Sequence, residues 1–284
     1  CIRQAVASNK NNLYPEIIID LANDSAAIVR CAIARNIKSH DFTLAALSSE
    51  KNNLYTFEGI LNKLINDNET VRCAVAQNPN ALESFLDKLA NDNSKKVRQA
   101  VAKNFNSSSK ILENLKNDDS FIVSYAVANN PNASLNTLKE LSNSVHDNIA
   151  IKAKLNLAEK QKLIQRASNE NTSPAALDEL AKSRSKIVRQ YVASNPNTPI
   201  KTLEILSKEF PEEIAANPVF ALLVLENPLN PFVKLSLARS TTTSEETLVK
   251  LYHSHRQYKI KESCKILIAI ANNSRASEEF RKQL

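Results

Sequence analysis

An eight-residue segment returns along this chain with little change in residue type. VRQAVAKN at 97–104 reappears as VRCAVAQN at 71–78, VRCAIARN at 29–36 and IRQAVASN at 2–9. More diverged copies stand at 123–130 (VSYAVANN), 188–195 (VRQYVASN), 233–240 (VKLSLARS) and 266–273 (ILIAIANN). The closing residues Asn78, Asn104 and Asn130 are spaced by 26, and Asn9 and Asn36 by 27. Asn156 falls 26 after Asn130 and Asn169 lies 26 before Asn195, so degenerate copies offset by 13 fill the interval between them. Self-similarity at such a period is the signature of stacked supersecondary units.

A second motif follows each of these anchors. Leucines fall eight and eleven residues later, as Leu44/Leu47, Leu86/Leu89, Leu112/Leu115, Leu138/Leu141, Leu177/Leu180, Leu203/Leu206 and Leu248/Leu251. Each unit therefore reads as two short helices. In helix A, apolar residues seven, four and three before the anchor share one face. The anchor Asn is expected to take a left-handed C-terminal position, with Pro79, Pro131 and Pro196 opposing further helix. Helix B is expected to open on cap chemistry at Thr198-Pro199, at Ser173-Pro174, and at Thr243 with Glu246 as a capping box. Helices of about nine residues are marginal alone in water, so the units must stack and share one core.

Composition agrees with a helical chain. Gly59 is its only glycine, where average usage near 7% would supply roughly twenty. Phosphate-cradling loops, dinucleotide fingerprints and nucleophile elbows need glycines for tight turns and close backbone approach, so those enzyme classes are excluded. β-rich folds, whose turns use positive φ, are disfavoured for the same reason. The expected fold class is all-α: a right-handed α-solenoid (superhelix) of ~26-residue two-helix repeats, one domain over 1–284. Its spacing slips at 48–62, 143–170 and 207–231. The last of these, Phe210 to Pro228, reads as a repacked double unit with a nearly wholly buried helix. With no methionine and Cys1 at its start, the chain reads as a fragment of a longer one.

The units, written VRxAVAxNPN…LxxL, resemble the leucine-rich repeat variant family, an architectural relative of HEAT-like repeats. The resemblance covers most of the chain. It implies a superhelix of paired short helices, some of them 3₁₀ in that family, and little about activity. No cofactor is implied.

Charge supplies the candidate site. Lys and Arg number 37 against 30 Asp and Glu, a net +7, which permits an anionic partner. Arg3, Arg30, Arg72, Arg98 and Arg189 recur at one repeat position, with Lys234 in the same place. Each Arg could instead pair with an Asp of the preceding loop, such as Asp24, Asp67 or Asp92, and fix the register between units. Nine-residue windows ending at the eight anchors cover 72 positions, where about eight acids are expected at the chain average; none occurs, while eleven residues are basic. Those windows add Arg35, Lys96, Lys103, Arg239 and Lys265 to the column. An electropositive helix-A layer results, with Arg3, Arg30, Arg35, Arg72, Arg98, Lys103, Arg189, Lys234 and Arg239 as candidate anion- and partner-binding residues. Tyr125 and Tyr191 lie near the column, in places that suit either packing or stacking on a base.

Other chemistry is sparse. Cys1, Cys31, Cys73 and Cys264 lie far apart, which argues for neither a zinc site nor a disulfide framework and fits reduced thiols in the cytoplasm. Cys31 and Cys73, at equivalent positions, read as small core residues. His253 and His255 read as part of a solvated basic stretch. No nucleophile–base pair or carboxylate dyad stands at helical spacing, and no apolar run is long enough to span a membrane. The expected function is a non-enzymatic repeat scaffold that binds a protein partner, an acidic one, through the helix-A surface, with no small-molecule substrate. Nucleic-acid binding is the alternative, including a DNA-repair glycosylase similar to the HEAT-like alkylpurine glycosylases. Such an enzyme needs groove aromatics and an acid, and helix A offers no acid.

Overall fold

The structure is a computed structural model and describes residues 2–9, 15–37, 57–256 and 261–282. Among the described residues there are twenty helices and no strand, and helices pack neighbour to neighbour. The contacts divide the chain into two compact units, Cys1–Glu159 and Lys160–Leu284.

In the first unit the A helices are α1 (Ile2–Ala7), α3 (Ala27–Asn36), α5 (Glu69–Gln77), α7 (Lys95–Lys103) and α9 (Phe121–Asn129). They alternate with the B helices α2 (Pro15–Ala22), α4 (Phe57–Leu64), α6 (Glu83–Leu89), α8 (Ser109–Leu115) and α10 (Leu135–Leu141). Successive A helices lie directly against one another, α3 on α1 and α5, and α7 on α5 and α9. This close approach is possible because the facing residues are small: Ala34, Ala76, Ala102 and Ala128 are wholly buried. Val71, Val97 and Val123 from the A helices and the leucines of the B helices complete the core. Every described leucine pair of the second motif is buried. Leu44 and Leu47 lie outside the described residues. In that repeat Leu61 and Leu64 of α4, both wholly buried, fill the core from the B side.

The long helix α11 (Asp147–Ser168) occupies the segment where the spacing slips. It joins two anchors 13 residues apart into one helix, with no turn and no B helix between them. Ile149, Ala153, Lys160 and Ala167 are buried along it, at helical spacing. In the second unit the B helices are α12 (Pro174–Leu180), α14 (Ile200–Leu206), α16 (Pro218–Glu226), α18 (Glu245–His255) and α20 (Glu278–Arg281). Its A helices are α13 (Lys186–Ser194), α15 (Pro211–Ala216), α17 (Pro231–Arg239) and α19 (Lys261–Ala271).

Several local expectations are corrected. No described residue has positive φ, and Asn78, Asn104, Asn130 and Asn195 are all extended at the helix C-cap. A side-chain ladder makes the left-handed turn unnecessary. Asn104 Nδ2 donates to the carbonyls of Ala76 (2.7 Å) and Asn78 (2.9 Å) in the previous repeat, while its Oδ1 accepts from the N–H of Asn106 (2.8 Å). Asn78, Asn130, Asn195, Asn217 and Asn273 repeat all three bonds.

The caps shift as well. Ser173 caps α12 as expected, accepting from the Ala176 N–H, with Pro174 in the first turn. Thr198 instead turns inward and donates to the Val192 carbonyl. The cap of α18 is Ser244, one residue beyond Thr243. The segment 207–231 is a single shortened unit, not a double one: Asn217 both ends α15 and caps α16. Of α16 only Phe220 is buried, and Leu222 and Leu225 are 59% and 80% exposed. Because α16 starts directly at the anchor, Phe220 faces the core with Val219, Leu223 and Val224 packed beside it, while Leu222 and Leu225 turn outward.

Candidate partner-binding surface

The arginine column is placed by the ladder of repeats and is spent within it. Arg72 lies between two loops: Nη1 donates to the Asp67 carbonyl (2.7 Å), while Nε and Nη2 grip both oxygens of Asp92 (2.6 and 3.0 Å). Arg30 holds the Asp24 carbonyl and the Asp67 carboxylate in the same way. Arg98 holds the Asp92 carbonyl, the Asp118 carboxylate and Asp119. Arg3 pairs with Asp24 at 2.6 Å. The acid partner thus comes from the following loop, one unit later than the sequence pattern implies; the preceding loop contributes its backbone carbonyl. In the second unit Arg189 donates to the Ser183 carbonyl and pairs with Glu209.

The carboxylates are doubly held. Asp92 and Asp118 each accept a backbone N–H two residues on, from Ser94 and Ser120. Burial pushes both carboxyls up, but Arg72 and Arg98, together with these N–H groups, bring them below the ordinary range. Hydrogen bonding from Arg30 does the same for Asp67 against its burial. Bidentate charge-assisted pairs of this kind fix geometry strongly. The Arg30, Arg72 and Arg98 side chains are only 16%, 23% and 14% exposed, so they add little to the field outside.

What the A helices of the first unit turn outward is a different stripe, exposed or half-exposed except at Cys31. Positions one, five and eight before each anchor lie on one side of the helix. They carry Arg35, Gln77, Lys103 and Asn129; Cys31, Cys73, Gln99 and Tyr125; and Ile28, Thr70, Lys96 and Ile122. No carboxylate stands among them. Among the described residues Lys103 makes no ion pair, and Arg35 reaches only the Gln77 amide (3.4 Å). Lys96 pairs with Glu69 at 2.9 Å. Cys31 is buried and Cys73 half-buried, its thiol pushed up chiefly by burial. The candidates thus separate: Arg3, Arg30, Arg72 and Arg98 join adjacent units, while Arg35 and Lys103 face solvent.

Arg189, Lys234 and Arg239 belong to the second unit. Lys234 is half-buried, without an ion pair among the described residues. Arg239 donates to Ser207 Oγ (3.3 Å), and burial lowers its pKa. Tyr191 is 38% exposed. His255 is buried, its Nδ1 against the Leu251 carbonyl (2.9 Å), so only His253 of that pair is solvated. Among the described residues no group of three His, Cys, Asp or Glu is placed to hold a metal ion, and no helix is long and apolar enough to cross a membrane.

Beside the stripe lies a groove of about 710 Å³ across the first turns of α7 and α9, lined by Lys95, Lys96, Arg98, Phe121 and Ile122 among others. Phe121 stacks on Tyr125 (centroids 6.0 Å, 24°) and meets the edge of His146 (5.3 Å, 78°). Lys95 and Phe121 stand nine positions before their anchors, one residue outside the window in which the charge bias is legible. Aromatic character just upstream of the helix-A signature is the signal that would have found Phe121. No protein-family model matches the chain, and no curated protein matches it.

Proposed function

We propose that the chain is a non-enzymatic scaffold of the leucine-rich repeat variant type, a right-handed α-solenoid of ~26-residue repeats, that binds an acidic protein in the cytoplasm. The observation that carries this reading is the exposed A-helix stripe of the first unit, which holds Arg35, Lys96 and Lys103 and no carboxylate. The B helices, by contrast, carry both signs, as at Glu83, Asp87 and Lys88 on α6. Stacked repeats present extended surfaces suited to macromolecules. Cys31, Cys73 and Cys264 are free thiols, in keeping with a reducing compartment. Consumption of the arginine column by loop carboxylates favours a protein over a nucleic acid, because phosphate binding scales with the number of available cations.

The test is calorimetric titration of the full chain with poly-L-glutamate and, separately, with a 24-base-pair DNA duplex, each at two salt concentrations. The proposal expects salt-sensitive binding of poly-glutamate that weakens in the Arg35→Glu/Lys103→Glu variant. DNA binding should stay at the level of any basic surface. Tighter binding to DNA than to poly-glutamate, lost in the same variant, would establish the nucleic-acid alternative instead.

A further inference from the structure

We propose that the groove between the first turns of α7 and α9, with the stripe beside it, holds a short acidic segment of a partner protein. That segment seats one apolar or aromatic side chain on Phe121 and Tyr125. The inference rests on the acidic-partner reading above and gives it a location and a motif.

Three observations converge on this groove. The first is its uncovered charge. Glu69 is engaged by Lys96 Nζ and Ser94 Oγ, each at 2.9 Å, while Asp119 shares Arg98 (Nη2, 2.5 Å) with the Asp118 carboxylate. Lys95 has no acid partner among the described residues, and neither does Lys103 at the other end of α7. The cations left without an acid partner, Lys95 and Lys103, stand at the two ends of α7. The second is the aromatic wall. Phe121 and Tyr125 each remain 39% exposed although Phe121 is fixed by its contacts with Tyr125 and His146. Rings already held in place lose little freedom on binding, which favours them as anchors. The third is what the groove opposes. Glu69 and Asp119 line it and weaken its hold on a continuous polyanion, whereas a peptide can place its carboxylates away from them with apolar residues between.

Geometry sets the spacing of that motif. Lys95 and Lys103 are eight residues apart on one helix, about 12 Å along its axis. An extended chain covers that in roughly four residues. The recognised segment therefore carries two acids about four positions apart with a bulky apolar side chain between them.

Anisotropy titrations of the full chain test this with a fluorescein-labelled 12-residue peptide, Asp at positions 4 and 8 and Trp at 6 in a Ser/Ala background. The same peptide with Ser for Trp and a 12-nucleotide single strand serve as comparisons. Binding of the Trp peptide should fall about tenfold when Trp is replaced, and about tenfold in Tyr125→Ser or Phe121→Leu, the size of an interface anchor. It should fall at least tenfold in Lys95→Glu/Lys103→Glu and change less than twofold in Lys110→Glu on α8. Phe121→Leu keeps an apolar side chain at the core edge, and unchanged helical circular dichroism and melting temperature certify the fold of each variant. Binding that ignores Phe121, Tyr125 and the Trp overturns the groove but leaves an acidic partner standing. Loss of both peptide and poly-glutamate binding overturns both proposals. Tighter binding of the oligonucleotide, lost in the lysine variant, overturns the peptide as occupant.

Discussion

Asn104 uses every polar atom of its side chain, two donations backward and one acceptance forward, in a place only 7% exposed. Alanine there strands the Ala76 and Asn78 carbonyls away from water and leaves the Asn106 N–H without its acceptor. An unsatisfied buried group costs about 1–3 kcal/mol. Asn104→Ala should therefore lower stability by about 3 kcal/mol in urea titrations, whereas Asn129→Ala, at an exposed position next to an anchor, should change it by less than about 0.5 kcal/mol. An effect below 1 kcal/mol at Asn104 would show that the ladder is incidental. The importance of the anchor was legible in the sequence, but its conformation was not. Asn at a helix end satisfies two descriptions equally well, a left-handed backbone or a side-chain donor. Only the carbonyls of the preceding unit, brought within 3 Å by stacking, decide between them. The same ladder accounts for the near absence of glycine: with Asn, Asp and Ser side chains closing the turns, no described position needs positive φ.

Among the elements, α11 and α16 depart most from the repeat. The 13-residue offset between Asn156 and Asn169 was readable, and the structure resolves it as a helix that does not stop: Asn156 still donates to the Ala128 carbonyl (2.7 Å), but no turn follows. Lys160, on α11, is 6% exposed, and burial lowers its pKa from 10.5 to about 8. The depressed value means that the folded state penalises the charged form. That penalty is complete below pH 8 and disappears above 10.5, where folded and unfolded chains are both neutral. Relative to its effect above pH 10.5, Lys160→Met should thus be more favourable at pH 7, by up to about 3 kcal/mol at 1.36 kcal/mol per unit. The gain should shrink steadily between pH 8 and 10.5 in urea titrations across that range. A constant difference at all pH values would tie the effect to packing instead. In α16 the sequence misleads for a physical reason. Continuous apolarity over Val219–Leu225 describes a buried helix, but burial depends on how many neighbours surround it, and no property of the seven residues reports that.

For the whole molecule, the bonds that join units run between adjacent repeats: α5 to α7, α7 to α9, α13 to α15, α15 to α17. Stability then resembles a sum of unit and neighbour contributions, and cooperativity decays along the stack. Hydrogen exchange of Asn104→Ala, followed by mass spectrometry, should show lost protection concentrated in α5 to α9, with α17 to α19 nearly unchanged. A uniform loss over both units would mean that the chain unfolds as one body. The period and the A/B alternation, and with them this local connectivity, could be read from spacing alone. The exposed stripe could be read in part, since absence of acid is a compositional fact. The arginine clamps needed the structure, because an Arg flanked by two acidic loops in sequence does not announce which one it will hold.

The ladder also has a direction. Asn36, Asn78, Asn104, Asn130, Asn195, Asn217 and Asn273 all donate to carbonyls that precede them in the chain. Asp67, Asp92 and Asp118 likewise close on arginines that precede them. A nascent chain leaves the ribosome from its N-terminal end. Each of these Asn anchors therefore emerges to find its acceptor carbonyls already in place, and Asp67, Asp92 and Asp118 find their arginines there too. Docking can keep step with synthesis, and no anchor side chain has to wait for residues not yet made.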